Sequence, residues 1–249
     1  MTMPTSAADA YSVQQRFIGV ITPSGNTVVE RIMLGILRDV PEVSPHFSRT
    51  PVFGSTDPSP MAYAQEGFLA AAALLAHAKP EVLVWNGSKG AGIGFAHDEA
   101  LVAAIEQQTG IPATTSIIGL KTVLALRGIT RIAVVTPYSD AGQQGALDCL
   151  RGEGYDCVAE AHAGYSDNLS YASVPLPQIA DMLRSVAAAR PQAIVTLCTN
   201  FPAAVLAAPM EAELGIPVFD TTALGAWAAL HAIGADTRAA APRWGSLFA

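Results

Sequence analysis

The stretch "GVITPSGN" (residues 19–26) returns later in the chain as "AVVTPYSD" (residues 133–140), with Thr22 matching Thr136, 114 residues on. Each is an apolar run that ends in Thr-Pro and opens into a small, hydroxyl-bearing turn. Two further echoes follow in the same order. "VLVWNGS" (residues 82–88) matches "AIVTLCT" (residues 193–199), with Gly87 and Cys198 paired 111 residues apart. "GIPATTS" (residues 110–116) matches "GIPVFDTT" (residues 215–222), with Gly110 and Gly215 paired 105 residues apart. A glycine followed by Ile-Pro is by itself only a helix C-cap. The conserved order of three echoes is what indicates duplication of one structural unit.

The pattern around the echoes defines that unit. Short apolar runs read as strands at Phe17–Thr22, His46–Phe53, Val82–Trp85, Ala113–Thr115, Ile132–Thr136, Cys157–Ala161, Ala193–Leu197 and Val218–Phe219. Helical patterns lie between them near Thr27–Leu37, Ala62–Ala78, Asp98–Gln108, Ser116–Leu126, Ala141–Arg151, Leu176–Ala189, Ala203–Leu214 and Ala223–Ile233. Apolar strands alternating with helices predict α/β units with parallel sheets covered on both faces. The first half is expected over residues 1–116 and the second over 117–222, with residues 223–249 packing back on the first. Open α/β sheets bind ligands beyond the carboxyl ends of their strands. Two facing halves would therefore line one cleft with Pro23–Asn26, Asn86–Lys89, Pro137–Ser139 and Cys198–Asn200.

Composition narrows the function. The 249-residue chain is 51% hydrophobic and 14% charged, with a net charge of −7. Its 14 Lys and Arg residues are scattered, which argues against nucleic acid or an anionic membrane surface as a partner. No apolar run reaches the ~18–20 residues of a membrane helix. Residues 1–15 lack the basic start and apolar centre of a secretory signal. Three irregularly spaced cysteines suit neither a disulfide framework nor a zinc site. A cytoplasmic protein is expected, and the apolar surplus leaves room for a homo-oligomer interface.

Within the cleft, Cys198 ends an apolar strand, where "TNFP" is expected to begin a helix. Free amides at a helix start can stabilise a thiolate or a substrate carboxylate. Cysteines are commonly just small buried hydrophobes, and that reading is preferred for Cys149 and Cys157. Ser24, Asn26 and Thr27 form a turn able to cap a helix or hold an anion. Tyr138, at the matching turn, carries a hydroxyl suited to an oxyanion, although packing would also explain it. "NGSKGAGIG" fits neither phosphate-loop nor dinucleotide spacing, so Gly87 and Ser88 are read as amide and hydroxyl donors. The five histidines show no metal-ligand spacing, and no G-x-S-x-G nucleophile motif is present.

The paired "TPSGNT" and "TPY" turns, the "LCTN" strand end and the "GIP" echoes resemble the aspartate/glutamate racemase superfamily. Within it the chain is most similar to the branch of maleate cis–trans isomerases and arylmalonate decarboxylases. "PSGNT" resembles the isomerase turn, and the C-terminal "PRWGSLF" resembles the decarboxylase tail. The resemblance implies two pseudo-symmetric Rossmann-like halves, an active site between them and no cofactor. Racemases and isomerases of the group place one cysteine in each half, whereas decarboxylases have glycine first and cysteine second. Here those positions are Gly87 and Cys198.

The resemblance thus implies a lyase acting on a small malonate-type di-acid through an enediolate that Cys198 protonates. Tyr138 would serve in catalysis. Pro23, Ser24, Asn26, Gly87, Ser88, Lys89, Thr199 and Asn200 would bind the small carboxylate. Lys89 stands where the decarboxylases have a second hydroxyl residue, and Asn26 suits a more polar ligand than an arylmalonate. Two alternatives remain. One is a maleate-type isomerase or a racemase whose second base lies elsewhere. The other is a non-catalytic carboxylate-binding relative.

Overall fold

The computed structural model describes residues 15–52 and 62–249. Two four-stranded parallel sheets carry the three sequence echoes at equivalent places. In the first, β1 (Arg16–Pro23), β2 (Val43–Thr50), β3 (Val82–Trp85) and β4 (Ala113–Thr115) lie in the order β2-β1-β3-β4. In the second, β5 (Arg131–Thr136), β6 (Asp156–His162), β7 (Ala193–Thr196) and β8 (Val218–Asp220) lie in the order β6-β5-β7-β8. All pairings are parallel. In each sheet the chain winds one way from the first central strand and the other way from the second. The crevice of an open α/β sheet forms at that switch point. It falls here after β1 and β3, and after β5 and β7.

Strand periodicity distributes side chains between an inner and an outer core. Ile18, Val20, Val82 and Val84 face a cluster that also contains Ile132, Val134, Ala193 and Val195, so the two sheets share one interior. The intervening residues face separate outer clusters. Ile21, Leu83 and Trp85 pack with Phe68 of α2 (Gln65–Ala76), while Ala133, Val135 and Ile194 pack with α8 (Leu176–Ala187). The shared interior is filled by α1 (Val29–Leu37), α5 (Ser116–Leu126), α6 (Asp140–Gly152) and α10 (Thr221–Ala232). Helix α10 is buried from Thr221 to Leu230 and packs on α5, α1, β3 and β4. A Cβ at Gly119 of α5 would lie 2.9 Å from both the Leu224 carbonyl oxygen and Ala228 Cβ. The glycine permits that close approach.

The edge strand β2 begins three residues earlier than expected, at Val43 rather than His46. Its sequence, VSPHFSRT, is half-buried and mixes polar residues with a proline, a combination tolerated at a sheet edge. Hydrophobicity therefore marks it poorly. Phe53, at the end of the expected strand, lies outside the described residues. The helix expected from Ala203 begins as a 3-10 turn (Ala204–Leu206), and its α-helical part, α9, spans Ala207–Leu214. Two short helices lacked a periodic signal altogether: α3 (Gly90–Ile93) and α7 (Asn168–Tyr171). The remaining α-helices among the described residues are α4 (Phe95–Thr109) and α11 (Ala241–Trp244), the latter followed by a 3-10 turn (Ser246–Phe248).

Reciprocal asparagine contacts clasp the two halves where their switch points meet. Asn26 accepts from the Val28 and Val29 amides at 2.8 Å, capping α1, and its Nδ2 donates to Thr199 Oγ1 at 3.1 Å. In return, Asn200 Oδ1 accepts from the Thr27 amide at 2.8 Å, while its Nδ2 donates to the Asn168 carbonyl. Thr222 Oγ1 donates to the Thr199 carbonyl at 3.1 Å, tying the same turn to α10. Removing Asn200 takes away the partners of the Thr27 amide and the Asn168 carbonyl at a part-buried seam, two hydrogen bonds worth ~0.5–1.5 kcal/mol each. Asn200→Ala should lower the melting temperature by on the order of 5–10 °C, measurable by calorimetry. An unchanged melting temperature would show that the clasp is not structural.

Asp220 caps α10, its Oδ1 accepting from the Thr222 and Ala223 amides while Oδ2 accepts from Thr196 Oγ1 at 2.9 Å. Burial nevertheless dominates and pushes its carboxyl up to about 7. The folded state then holds a proton that the unfolded chain releases near pH 4, so stability falls as pH rises from about 4 to about 7. Asn at this position keeps the cap but cannot ionise. Urea unfolding of Asp220→Asn should show a shallower loss of stability across that window than the wild type. Asp98, which burial raises to about 6, leaves a residual slope of the same sign.

Candidate active site

A cavity of about 440 Å³ opens between the halves at the carboxyl ends of the strands. The first half contributes Pro23, Trp85, Ser88 and Lys89, and the second contributes Tyr138, Cys198 and Thr199. The loop after β6 adds Ser166, with Asn168 and Tyr171 from α7. Of the residues expected to bind a carboxylate, the cavity wall includes Pro23, Ser88, Lys89 and Thr199. Asn26 and Asn200 sit behind that wall in the clasp, where their side-chain polar groups are already engaged. Ser24 is also off the wall, its amide bonded to the Thr50 carbonyl.

Cys198 is buried and its backbone is held at φ +115°, a conformation that non-glycine residues rarely adopt and that clusters at functional sites. The strand end fixes one side of it, through the Leu197 amide donating to the Val135 carbonyl at 3.0 Å. Burial pushes the thiol up to about 12, outweighing the Asn200 amide and the Tyr138 hydroxyl, which pull it down. The expected helix start at "TNFP" is a turn, with α9 beginning only at Ala207. A helix terminus therefore does not act directly on the sulfur, and the protonated thiol is the stable form.

Tyr138 stands between the two halves. Its hydroxyl contacts the Cys198 thiol and lies 3.4 Å from Ser88 Oγ. Burial raises this phenol well above 10, so it stays a neutral donor. Its position is fixed from below by its own amide, which donates to Thr136 Oγ1 at 3.1 Å, while that hydroxyl donates to Gln143 Oε1 at 2.6 Å. Tyr171 packs edge-on against the Tyr138 ring, with centroids 5.4 Å apart. Burial and proximity to Cys198 raise the Tyr171 hydroxyl to about 12. The site thus presents a thiol and neutral hydroxyls, a donor-rich surface for an oxyanion.

Gly87 is buried beside this cavity without lining it, because Trp85 takes its place. A Cβ at Gly87 would meet three carbons of the Trp85 indole at 2.1, 2.3 and 2.7 Å. Gly87 is not among the left-handed glycines, so its backbone would accept a side chain and the indole would not. Trp85, Asn168 and Tyr171 were not singled out from the sequence. Trp85 reads there as an ordinary strand residue, and α7 is a single turn with no periodicity to detect. Cys149 and Cys157 are half-buried free thiols away from the cavity wall, and Cys149 Sγ contacts the Gly90 carbonyl at 3.6 Å.

Among known proteins, the maleate isomerase of Nocardia farcinica is 25% identical over 241 residues, spanning 93% of this chain and 95% of its own. The arylmalonate decarboxylase of Bordetella bronchiseptica is 26% identical over 157 residues, spanning 62% and 65%. A solved structure of the Nocardia farcinica enzyme, with a covalently bound succinylcysteine intermediate, superimposes with a TM-score of 0.85 at 24% identity. It covers 94% of this chain and 98% of that one. These relatives are enzymes that share the two-sheet α/β fold. The sequence model of the arylmalonate decarboxylase family matches residues 67–248, and the chain belongs to that family.

Proposed function

We propose that the protein is a cofactor-independent lyase that decarboxylates a small malonate-type di-acid. The observation that carries this reading is the single thiol on the cavity wall, Cys198, held protonated, with no side chain at the equivalent position 87. In the reaction the bond between the α-carbon and one carboxylate breaks, and its electron pair stays on the α-carbon as carbon dioxide leaves. The resulting enediolate is stabilised through the retained carboxylate by the Ser88 and Tyr138 hydroxyls and by Thr199 on the cavity wall. The Cys198 S–H then protonates the α-carbon, and the thiolate recovers its proton from solvent. Trp85, Ala91 and Ile93 provide an apolar wall that favours loss of charge from the departing carboxylate.

A second reading is isomerisation of a maleate-like di-acid. It is favoured by the near full-length similarity to a maleate isomerase and by Lys89 on the cavity wall. The two readings differ in the protonation state required of Cys198. Proton donation uses the thiol, so its contribution should be constant between pH 6 and 9 and lost only as pH rises toward about 12. Addition to a double bond uses the thiolate, and its rate should climb about tenfold per pH unit over the same range.

Measuring carbon dioxide release from phenylmalonate and methylmalonate, and fumarate formation from maleate, against pH separates the readings. Release with a flat profile supports the lyase, and fumarate formation with a rising profile overturns it. Cys198→Ala should reduce turnover by at least ~10²-fold, and Tyr138→Phe by ~10²-fold through loss of one oxyanion donor. Full turnover of Cys198→Ala would exclude both readings. Saturable binding of these acids with no turnover would indicate a binding protein instead.

A further inference from the structure

We infer that Trp85 is a specificity-determining residue of this cavity: its indole occupies the space of a side chain at position 87, so that only the second half delivers a proton. The inference rests on the lyase reading for its stereochemical consequence, whereas its steric part stands on the position of the indole alone. Three indole carbons lie within 2.7 Å of where a Cβ at Gly87 would be. The ring is both a member of the first half's outer core and part of the cavity wall.

The indole is fixed rather than merely present. Trp85 Nε1 donates to Tyr63 Oη at 3.1 Å, and Tyr63 Oη donates in turn to Asp98 Oδ2 at 3.0 Å. Phe68 meets the indole edge-on with centroids 4.7 Å apart, and Tyr63 does so at 6.2 Å. Lys89 Nζ lies 5.9 Å from the Tyr63 ring centroid. These contacts leave the ring little freedom to swing aside for a side chain at 87. The equivalent strand position in the second half is Thr196, whose hydroxyl is turned to Asp220. A small residue there is compatible with a side chain two positions on, at Cys198.

An aromatic wall on the first-half side cannot deliver a proton and keeps water from that face. A prochiral enediolate would then be protonated from the Cys198 side alone and yield one enantiomer. Cutting Trp85 back should open a second, water-filled approach.

Two measurements test this with separable failures. A double-mutant cycle of melting temperatures compares Gly87→Cys, Trp85→Ala and the double variant. The double variant should melt well above the value expected from adding the two single losses, because the alanine makes room for the new side chain. Additive losses would overturn the steric claim whatever the enzyme does, and Trp85→Leu repeats the cycle should the alanine variant not fold. The second measurement is the enantiomer ratio of the product from methylphenylmalonate. Wild type and Trp85→Phe should give one enantiomer and Trp85→Ala a mixture approaching equal amounts. A single enantiomer from Trp85→Ala would overturn the selectivity claim. Absence of carbon dioxide release from the wild type would instead count against the lyase reading, leaving the thermal cycle to decide the role of Trp85.

Discussion

Cys198 can keep its φ of +115° because the residues on both sides of it are tied down. A residue forced into such a region costs ~1–3 kcal/mol, and an ordinary hydrogen bond returns ~0.5–1.5 kcal/mol. Leu197 is bonded to Val135 in the sheet. Thr199 is bonded to Asn26 and Thr222, and Asn200 to Thr27 and Asn168. Together these bonds outweigh the strain. Two of these partners, Asn26 and Thr27, belong to the other half, so the turn carrying Cys198 is held from both halves.

Assembly in turn depends on the shared interior. The inner faces of both sheets, with α1, α5, α6 and α10, form one apolar cluster rather than two. Burial of this kind is non-directional and gives most of the cohesion. It does not specify how the strand ends should align. The asparagine clasp supplies that alignment, since its bonds form only in one register. Cohesion and positioning are thus carried by different residues, which explains why buried amides sit beside the cavity without lining it.

Much of this architecture is legible in the chain because the fold is written twice. The strands β3 and β4 fall where the echoes put them, as do the central strands β1, β5 and β7 to within a residue or two. The central strands β1, β3, β5 and β7 are almost wholly buried, and apolar runs mark them, whereas β4, an edge strand of sequence ATT, is located by its Gly-Ile-Pro echo. The edge strand β2 is half-buried and polar, so hydrophobicity does not mark its start. At the site, Cys198, Tyr138, Ser88 and Lys89 could be located because strand ends in such folds face the ligand. Asn168 and Tyr171 could not, since a single helical turn has no period. Trp85 could not either: an apolar residue at the end of a buried strand is expected to pack. Its second role appears only when the space above Gly87 is measured.

Duplication makes the two halves alike, yet their strand ends differ. The divergence is concentrated at a few equivalent positions. Trp85 corresponds to Thr196 and Gly87 to Cys198, while Thr115, which caps α5, corresponds to Asp220, which caps α10. In the register of the sheets, Trp85 lies beside Thr115 and Thr196 beside Asp220. The second half pairs a hydroxyl with a buried carboxyl at this layer and leaves the next strand-end position free to carry a reactive side chain. The first half fills the corresponding layer with an indole and leaves no such room. A symmetric scaffold with matched side chains would present equivalent groups to both faces of a bound carboxylate. One bulky residue at this layer is enough to remove that equivalence, because it fills the space a side chain at position 87 would need. The difference between positions 87 and 198 is therefore set two residues upstream, in the packing beneath them.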